Sequence, residues 1–223
     1  MRGGLFNQAL AAGCRDYVYL LDRQYADKGA LELVCNRYQL NSYQRVILYR
    51  GVFSKTQSRA RQQKLLPGYG NGPLHVDLLN VLFTVVNYLY GRTLFRATDG
   101  LVKDIGACFA KPAPGEILQK AINWLAAAFI NLAPSGLQLY MDVDYDYSRY
   151  VAVEMGRHLG GQDCILAVKN PDYQLAVVTS GVIATSDSQV IDQSTCRVFD
   201  LASQILHQHF KLQLTDLSRF LQA

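Results

Sequence analysis

After Pro73 the chain changes character, and short β-prone runs alternate with helical ones as far as its last residues. LHVDL, TLFRAT, LQLYMDV, CILAVKN, GVIATSD and CRVFD read as strands. Between them LNVLFTVVNYLYG, PGEILQKAINWLAAAFINL and SRYVAVEMGRHLGG repeat apolar residues at three and four, the last of them ending in glycines. LASQILHQHF follows the last strand, and LTDLSRFLQA reads as a short closing helix. Parallel neighbours need a crossover long enough to hold a helix. This alternation therefore constrains residues 74–223 to a parallel sheet with helices on both faces, an α/β fold of three-layer α/β/α type.

The residues before Pro73 follow another rule. Leu10 to Tyr25 has helical spacing, ALELVCNRYQL is helical again after Gly29, and SYQRVILYRGVF follows an Asn41-Ser42 stop and N-cap. Short helices joined by tight turns make a small all-α module, somewhat like a helix-turn-helix, over residues 1–66. KTQSRARQQK (55–64) is polar and basic. PGYGNGP (67–73), rich in Gly and Pro, reads as a linker.

Composition narrows the classes. Half of the 223 residues are hydrophobic and 18% are charged, which suits a folded globular chain and not a disordered one. No apolar run approaches the roughly 20 residues of a membrane helix. AINWLAAAFINLA is interrupted by Asn123 and Asn131, and the first residues are too briefly apolar for a secretory signal, so a cytoplasmic protein is expected. The five cysteines are widely spaced without a CxxC, and the four histidines show no HExxH spacing; buried thiols are expected, and neither a disulfide frame nor a zinc site. Charge is segregated. Residues 1–66 hold eleven basic and four acidic residues, a net of +7, and residues 67–223 hold eleven basic and fourteen acidic, a net of −3. A basic head on an acidic body suggests a division of labour, although solvated helix faces give the same count.

In an open parallel sheet, ligands bind at the carboxyl ends of the strands. Asp77 ends LHVD, Asp142 ends LQLYMD with Asp144 and Asp146 just behind it, Asp187 ends VIATSD, and Asp200 ends CRVFD. Asp77, Asp142 and Asp187 converge if their strands are neighbours. Carboxylates held together resist joint ionisation, and a divalent cation removes that penalty. Oxygen-only ligands point to Mg²⁺ or Mn²⁺, ions able to activate water and steady the leaving oxygen of a phosphodiester. The competing reading is that strand-end acids are helix N-caps, for which Asp77 and Asp187 are both placed.

Weaker candidates surround these. Asp99 and Asp104, in ATDGLVKDIG, can supply a fourth carboxylate, although Asp-Gly is also a turn signal. Thr185, Ser186 and Ser188 flank Asp187 as hydroxyls for a phosphate or a bound water, or as ordinary loop residues. Asn170 and Asp172 read as a turn or cap around Pro171. DVDYDY lacks the mid-loop Gly and closing Glu of a calcium loop, and Tyr145 and Tyr147 are candidates to stack on a base.

The N-terminal run LLDRQYADKGALELVCNRYQLNSYQRVILYRGV resembles the DUF434 family. The body, through HVDLLNVL, ATDGLVKDI, LYMDVDYDYS, NPDYQL and VIATSDSQVID, resembles the PIN-like DUF5616 domain that usually follows it. The resemblance implies a Rossmann-like α/β/α sandwich of a nuclease superfamily that cleaves RNA or DNA with Mg²⁺ or Mn²⁺. It matches Asp77 to the first acid of such domains, with Asn80 one helical turn later. It matches Asp142 to an acid at a later strand end, Asp187 to the acid of a TxD-type motif, and Asp99 or Asp104 to the remaining position.

The expectation is thus a basic helical module on a PIN-like, metal-dependent nuclease domain. Asp77, Asp142 and Asp187 are its catalytic acids and metal ligands, and Asp144 is a further ligand. Asn80, Asp99, Asp104, Thr185 and Ser186 support them. Arg37, Arg45 and Arg50 would grip nucleic-acid phosphates, RNA ahead of DNA, without sequence readout. Two rivals remain: a non-catalytic nucleic-acid-binding or regulatory protein on the same fold, and a phosphohydrolase of small nucleotides.

Overall fold

The computed structural model describes residues 4–222, and the chain folds as two compact units. One joins Met1–Gln63 with Gly91–Ala110 and Leu212–Ala223, and the other joins Lys64–Tyr90 with Lys111–Lys211. The expected boundary between 1–66 and 74–223 is therefore not how the chain groups itself, because two later segments fold with the N-terminal helices. The charge segregation survives the regrouping: the first unit holds fourteen basic and seven acidic residues, a net of +7, and the second eight and eleven, a net of −3.

The first unit begins with four helices, α1 (Gln8–Leu21), α2 (Asp27–Arg37), α3 (Ser42–Gly51) and α4 (Lys55–Lys64). Asn7 caps α1 by accepting from the Leu10 amide, and Asn41 caps α3 in a reciprocal box with Gln44. A three-stranded sheet completes the unit. In it β2 (Leu94–Arg96) pairs antiparallel with β3 (Val102–Asp104) and parallel with β8 (Thr215–Asp216). Leu10, Tyr17, Val34, Ile47 and Leu48 share one buried cluster with Phe95, Ile105 and Leu217, so the helices alone would lack part of their core. Gly51 is where they meet. A Cβ there would lie 2.5 Å from Phe95 and 2.6 Å from Leu217, closer than real contacts allow.

The second unit is a three-layer α/β/α fold. Its parallel sheet has the order β5 (Ile165–Val168), β4 (Gly136–Asp142), β1 (Pro73–Asp77), β6 (Val182–Ala184), β7 (Arg197–Val198). From β1 the chain steps through α5 (Leu78–Leu89) and α6 (Glu116–Leu132) to β4, then through α7 (Ser148–Leu159) to β5. It then reverses past α8 (Pro171–Ala176) to β6 and past α9 (Ser188–Gln193) to β7, and finishes in α10 (Leu201–His209). Right-handed crossovers in opposite directions put their helices on opposite faces. Accordingly α5 packs with α6 and α10, α6 with α7, and α8 with α9. The stretch expected as a linker is partly sheet: Pro73 opens β1, and Leu65 bridges to Val198 beside β7.

The reversal makes a topological switch beside β1, where crevices open at strand carboxyl ends. Register decides what lines it. Val76 lies opposite Leu139 of β4 and Ala184 of β6, so Asp77 comes level with Tyr140 on one side and Thr185 on the other. Among the described residues no helix is long and apolar enough to cross a membrane.

Candidate functional site

Asp77 is the last residue of β1 and the N-cap of α5, with its Oδ1 accepting from the Asn80 amide at 3.3 Å. Its Oδ2 accepts from the Thr185 hydroxyl at 3.0 Å. One turn into α5, Asn80 Oδ1 accepts from both the amide and the hydroxyl of Ser186, at 2.9 and 3.0 Å. The Thr185 oxygen in turn accepts from the Asp187 amide at 3.0 Å. Asp77, Asn80, Thr185 and Ser186 therefore form one hydrogen-bonded knot across the β1–β6 crevice. Asp77, Thr185 and Ser186 are buried in it.

Asp187 follows directly and caps α9, accepting from the amides of Gln189 and Val190 at 2.8 and 3.1 Å. Asp142, half-buried at the end of β4, accepts from the Asp144 amide at 2.8 Å. Asp144 itself is exposed, and its described part is to close this turn.

A fourth acid joins them. Beyond β5, Asn170 takes a left-handed backbone with φ 56°, Pro171 opens α8, and Asp172 stands in the first turn. Burial pushes the Asp77 carboxyl up to about 7, Asp172 and Asp187 push it further in the same direction, and the Thr185 and Asn80 hydrogen bonds oppose the rise. The Asp172 carboxyl is also raised, by loss of solvent first and then by the charges of Asp187 and Asp142, although the residue as a whole is exposed. Charge thus couples the acids beyond β1, β4, β5 and β6. The sequence presents Asp172 as a turn residue, yet its signal is the one that singles out the others, an acid just past a strand.

The expected supporting acids Asp99 and Asp104 are a correction. Both belong to the first unit, and both are already neutralised. Asp99 is fully buried, with Arg61 at 3.2 Å and Lys103 at 3.5 Å from its Oδ2, while Asp104 has Arg50 at 3.6 Å. Tyr145 is a correction too: it is buried, edge-on to Phe83 and Tyr147, with its hydroxyl donating to the Pro112 carbonyl, and offers no face to a base. Tyr147 is more open, at 37% exposed. Of the expected phosphate-gripping residues, Arg50 is committed to Asp104, Arg37 is exposed beside Asp16 at 3.6 Å, and Arg45 is half-buried on α3.

Carboxylates with an amide and hydroxyls, and no thiol or imidazole, are the donor set of a hard divalent cation. Among the described residues, however, no three or more His, Cys, Asp or Glu side chains are grouped so as to hold a metal. The acids share a field more than a ligand cage. That arrangement suits an ion carried by one or two carboxylates, with water and substrate phosphates completing its shell.

All four acids lie within residues 68–204, which match the family described as a domain of unknown function, DUF5616. The chain belongs to the DUF5616 family. Residues 9–64 match a second family, described as a protein of unknown function, DUF434, so both family likenesses of the sequence are met at the expected places. Residues 91–110, inside the DUF5616 span, are nevertheless folded into the unit that contains the DUF434 helices. The chain is also similar to Uncharacterized protein MJ0935 of Methanocaldococcus jannaschii, 25% identical over 197 residues, which cover 86% of this chain and 93% of that one. No solved structure matches it.

Proposed function

We propose that the acidic crevice is the site of a PIN-like, Mg²⁺- or Mn²⁺-dependent nuclease that hydrolyses phosphodiester bonds, of RNA ahead of DNA. The observation that carries the reading is the setting of Asp77. Its carboxyl is buried, its charged neighbours are Asp172 and Asp187, and among the described residues no Lys or Arg pairs with any of the four acids. A buried carboxylate that serves structure alone is normally given a cation of its own.

In this reading Asp77, Asp142 and Asp187, with Asp172, would hold the ion, which when bound supplies positive charge for the scissile phosphate and acidifies a water. The chain's own residues do the remaining work. Thr185 and Asn80 fix Asp77 in one rotamer, Ser186 fixes Asn80, and the knot keeps the crevice wall rigid while a strand is seated. Asp172, the most exposed of the four acids, is placed to take or return a proton at the crevice mouth.

The non-catalytic reading also has an observation behind it: Asp77 and Asp187 each cap a helix, so backbone amides alone explain part of their placement. Asp77→Asn separates the two. Asn keeps a capping oxygen and loses the charge, so Mn²⁺-dependent cleavage of a labelled single-stranded RNA should fall by at least about a hundredfold while the melting curve keeps its shape. Wild-type cleavage by the variant would refute the site. Calorimetric titration of Mn²⁺ into the wild-type chain supports the same division, because the pure binder gives no stoichiometric heat.

A further inference from the structure

The first unit carries a cleft of about 390 Å³ that the expected arginines do not line. Its walls come from the second half of α1, the start of α4 and the closing turn at Leu221. Arg15, Arg23 and Lys55 face it with one acid, Asp22, which leaves two positive charges in excess. The cations are held in place. Arg15 donates to the Phe220 carbonyl at 3.1 Å, Lys55 lies 3.8 Å from Asp22, and the Lys55 amide donates to the same carboxylate at 2.8 Å. Arg23 lies flat on Tyr19, its guanidinium carbon 3.4 Å from the ring centroid, and donates to the Tyr19 carbonyl at 3.3 Å. Tyr19 is 55% exposed.

We infer that this cleft is a subsite for single-stranded nucleic acid, seating a phosphate against Arg15 and Lys55 and a base on the Tyr19–Arg23 stack. The inference deepens the proposed function by placing its nucleic-acid grip, and it rests on the binding half of that reading and not on cleavage. Three features of the cleft select this ligand. The excess charge favours a polyanion, and the cations are already ordered, so little side-chain entropy is lost on binding. A guanidinium stacked on an aromatic ring presents a flat cationic face, which suits a base plane and not a lipid chain or an acidic side chain. A duplex keeps its bases stacked on one another, so only a single strand can lay one on that platform.

The experiment is fluorescence anisotropy with a labelled single-stranded RNA of about 12 nucleotides, in EDTA so that no cleavage or metal effect enters. Arg23→Ala with Lys55→Ala should weaken binding by at least about tenfold and reduce the slope of log affinity against log salt by about 1.4, since each lost phosphate contact on a single strand removes about 0.7. Tyr19→Ala should weaken binding about fivefold or more, and Tyr19→Phe should leave it near wild type. Arg157→Ala, an exposed arginine of the second unit, serves as the control for diffuse charge and should change little. Four results would each overturn the inference: wild-type affinity in the Arg23/Lys55 variant, an equal loss in Arg157→Ala, no loss in Tyr19→Ala, or duplex RNA bound as tightly as the single strand. Displacement by equimolar adenosine monophosphate would also overturn it, by assigning the cleft to a free nucleotide. Because the readout is metal-free binding, it can fail while Asp77 proves catalytic, or succeed while Asp77 proves inert.

Discussion

Each unit buries an aspartate, and the two treat it in opposite ways. In the first, Asp99 sits between two buried cations, with Arg61 and Lys103 sharing its Oδ2 and both lying over the ring of Phe53, at 4.1 and 4.6 Å. In the second, Asp77 has a hydroxyl and an amide for hydrogen bonds and further acids for charged neighbours. Two polar contacts satisfy the geometry of a carboxylate without cancelling its charge, and burial then raises the pKa. Asp99 is therefore a closed arrangement that holds β-strand, helix and loop together. Asp77 is an arrangement with a positive charge left to be supplied.

The largest effect expected from this contrast belongs to Asp99→Asn. It leaves Arg61 and Lys103 buried without their counter-charge, which typically costs about 3–5 kcal/mol. Urea unfolding should show the loss, and a drop below about 1 kcal/mol would mean that the pair acts as a surface bridge despite its burial.

The second prediction concerns pH and runs through Asp77. Its carboxyl titrates near 3.8 unperturbed and at about 7 in the folded chain. Between those values the folded state keeps a proton that the unfolded chain has released. The contribution of this group is therefore full below about pH 4, falls as pH rises to about 7, and is lost above that, a change of at most about 4 kcal/mol. Melts from about pH 5 to about pH 8 should show the decline in wild type and a flatter profile in Asp77→Asn, and Mn²⁺ should restore stability on the alkaline side. Parallel profiles for the two proteins would remove Asp77 from the titration and with it the uncompensated charge.

The same contrast explains what could be read from sequence. Asp77, Asp142 and Asp187 were legible because a strand of period two followed by a helix start places an acid at a known end of a known element. Asp99 was not, because its Arg61 partner lies 38 residues upstream, on a helix whose polar run gives no apolar face to detect. Helix α4 is fixed by what Ser58 and Arg61 meet: the Ser58 hydroxyl is 3.0 Å from that of Thr98, next to Asp99. The three-stranded sheet escaped for the same reason. Phe95 pairs with Thr215, a partner 120 positions away across the whole α/β unit, and local patterns carry no record of such a pairing. The short run LTDLSRFLQA reads as a helix; the structure makes it β8 followed by a 3-10 turn, because β2 offers Thr215 and Asp216 an open edge.

The smallest predicted effect tests whether the remaining acids are caps or charges. Asp187 accepts from two amides at the start of α9, so Asp187→Ala should cost about 1 kcal/mol, the worth of an ordinary N-cap. Asn caps about as well as Asp, so Asp187→Asn should match wild type within about 0.3 kcal/mol in a urea melt. If capping were its whole role, that variant would also bind Mn²⁺ and cleave RNA as wild type does. The charge coupling of Asp187 to both Asp77 and Asp172 argues for the other result, in which stability is retained and Mn²⁺ affinity falls. A wild-type Mn²⁺ isotherm for Asp187→Asn would return this residue to the role Asp99 already fills, a carboxylate whose work is finished once the chain has folded.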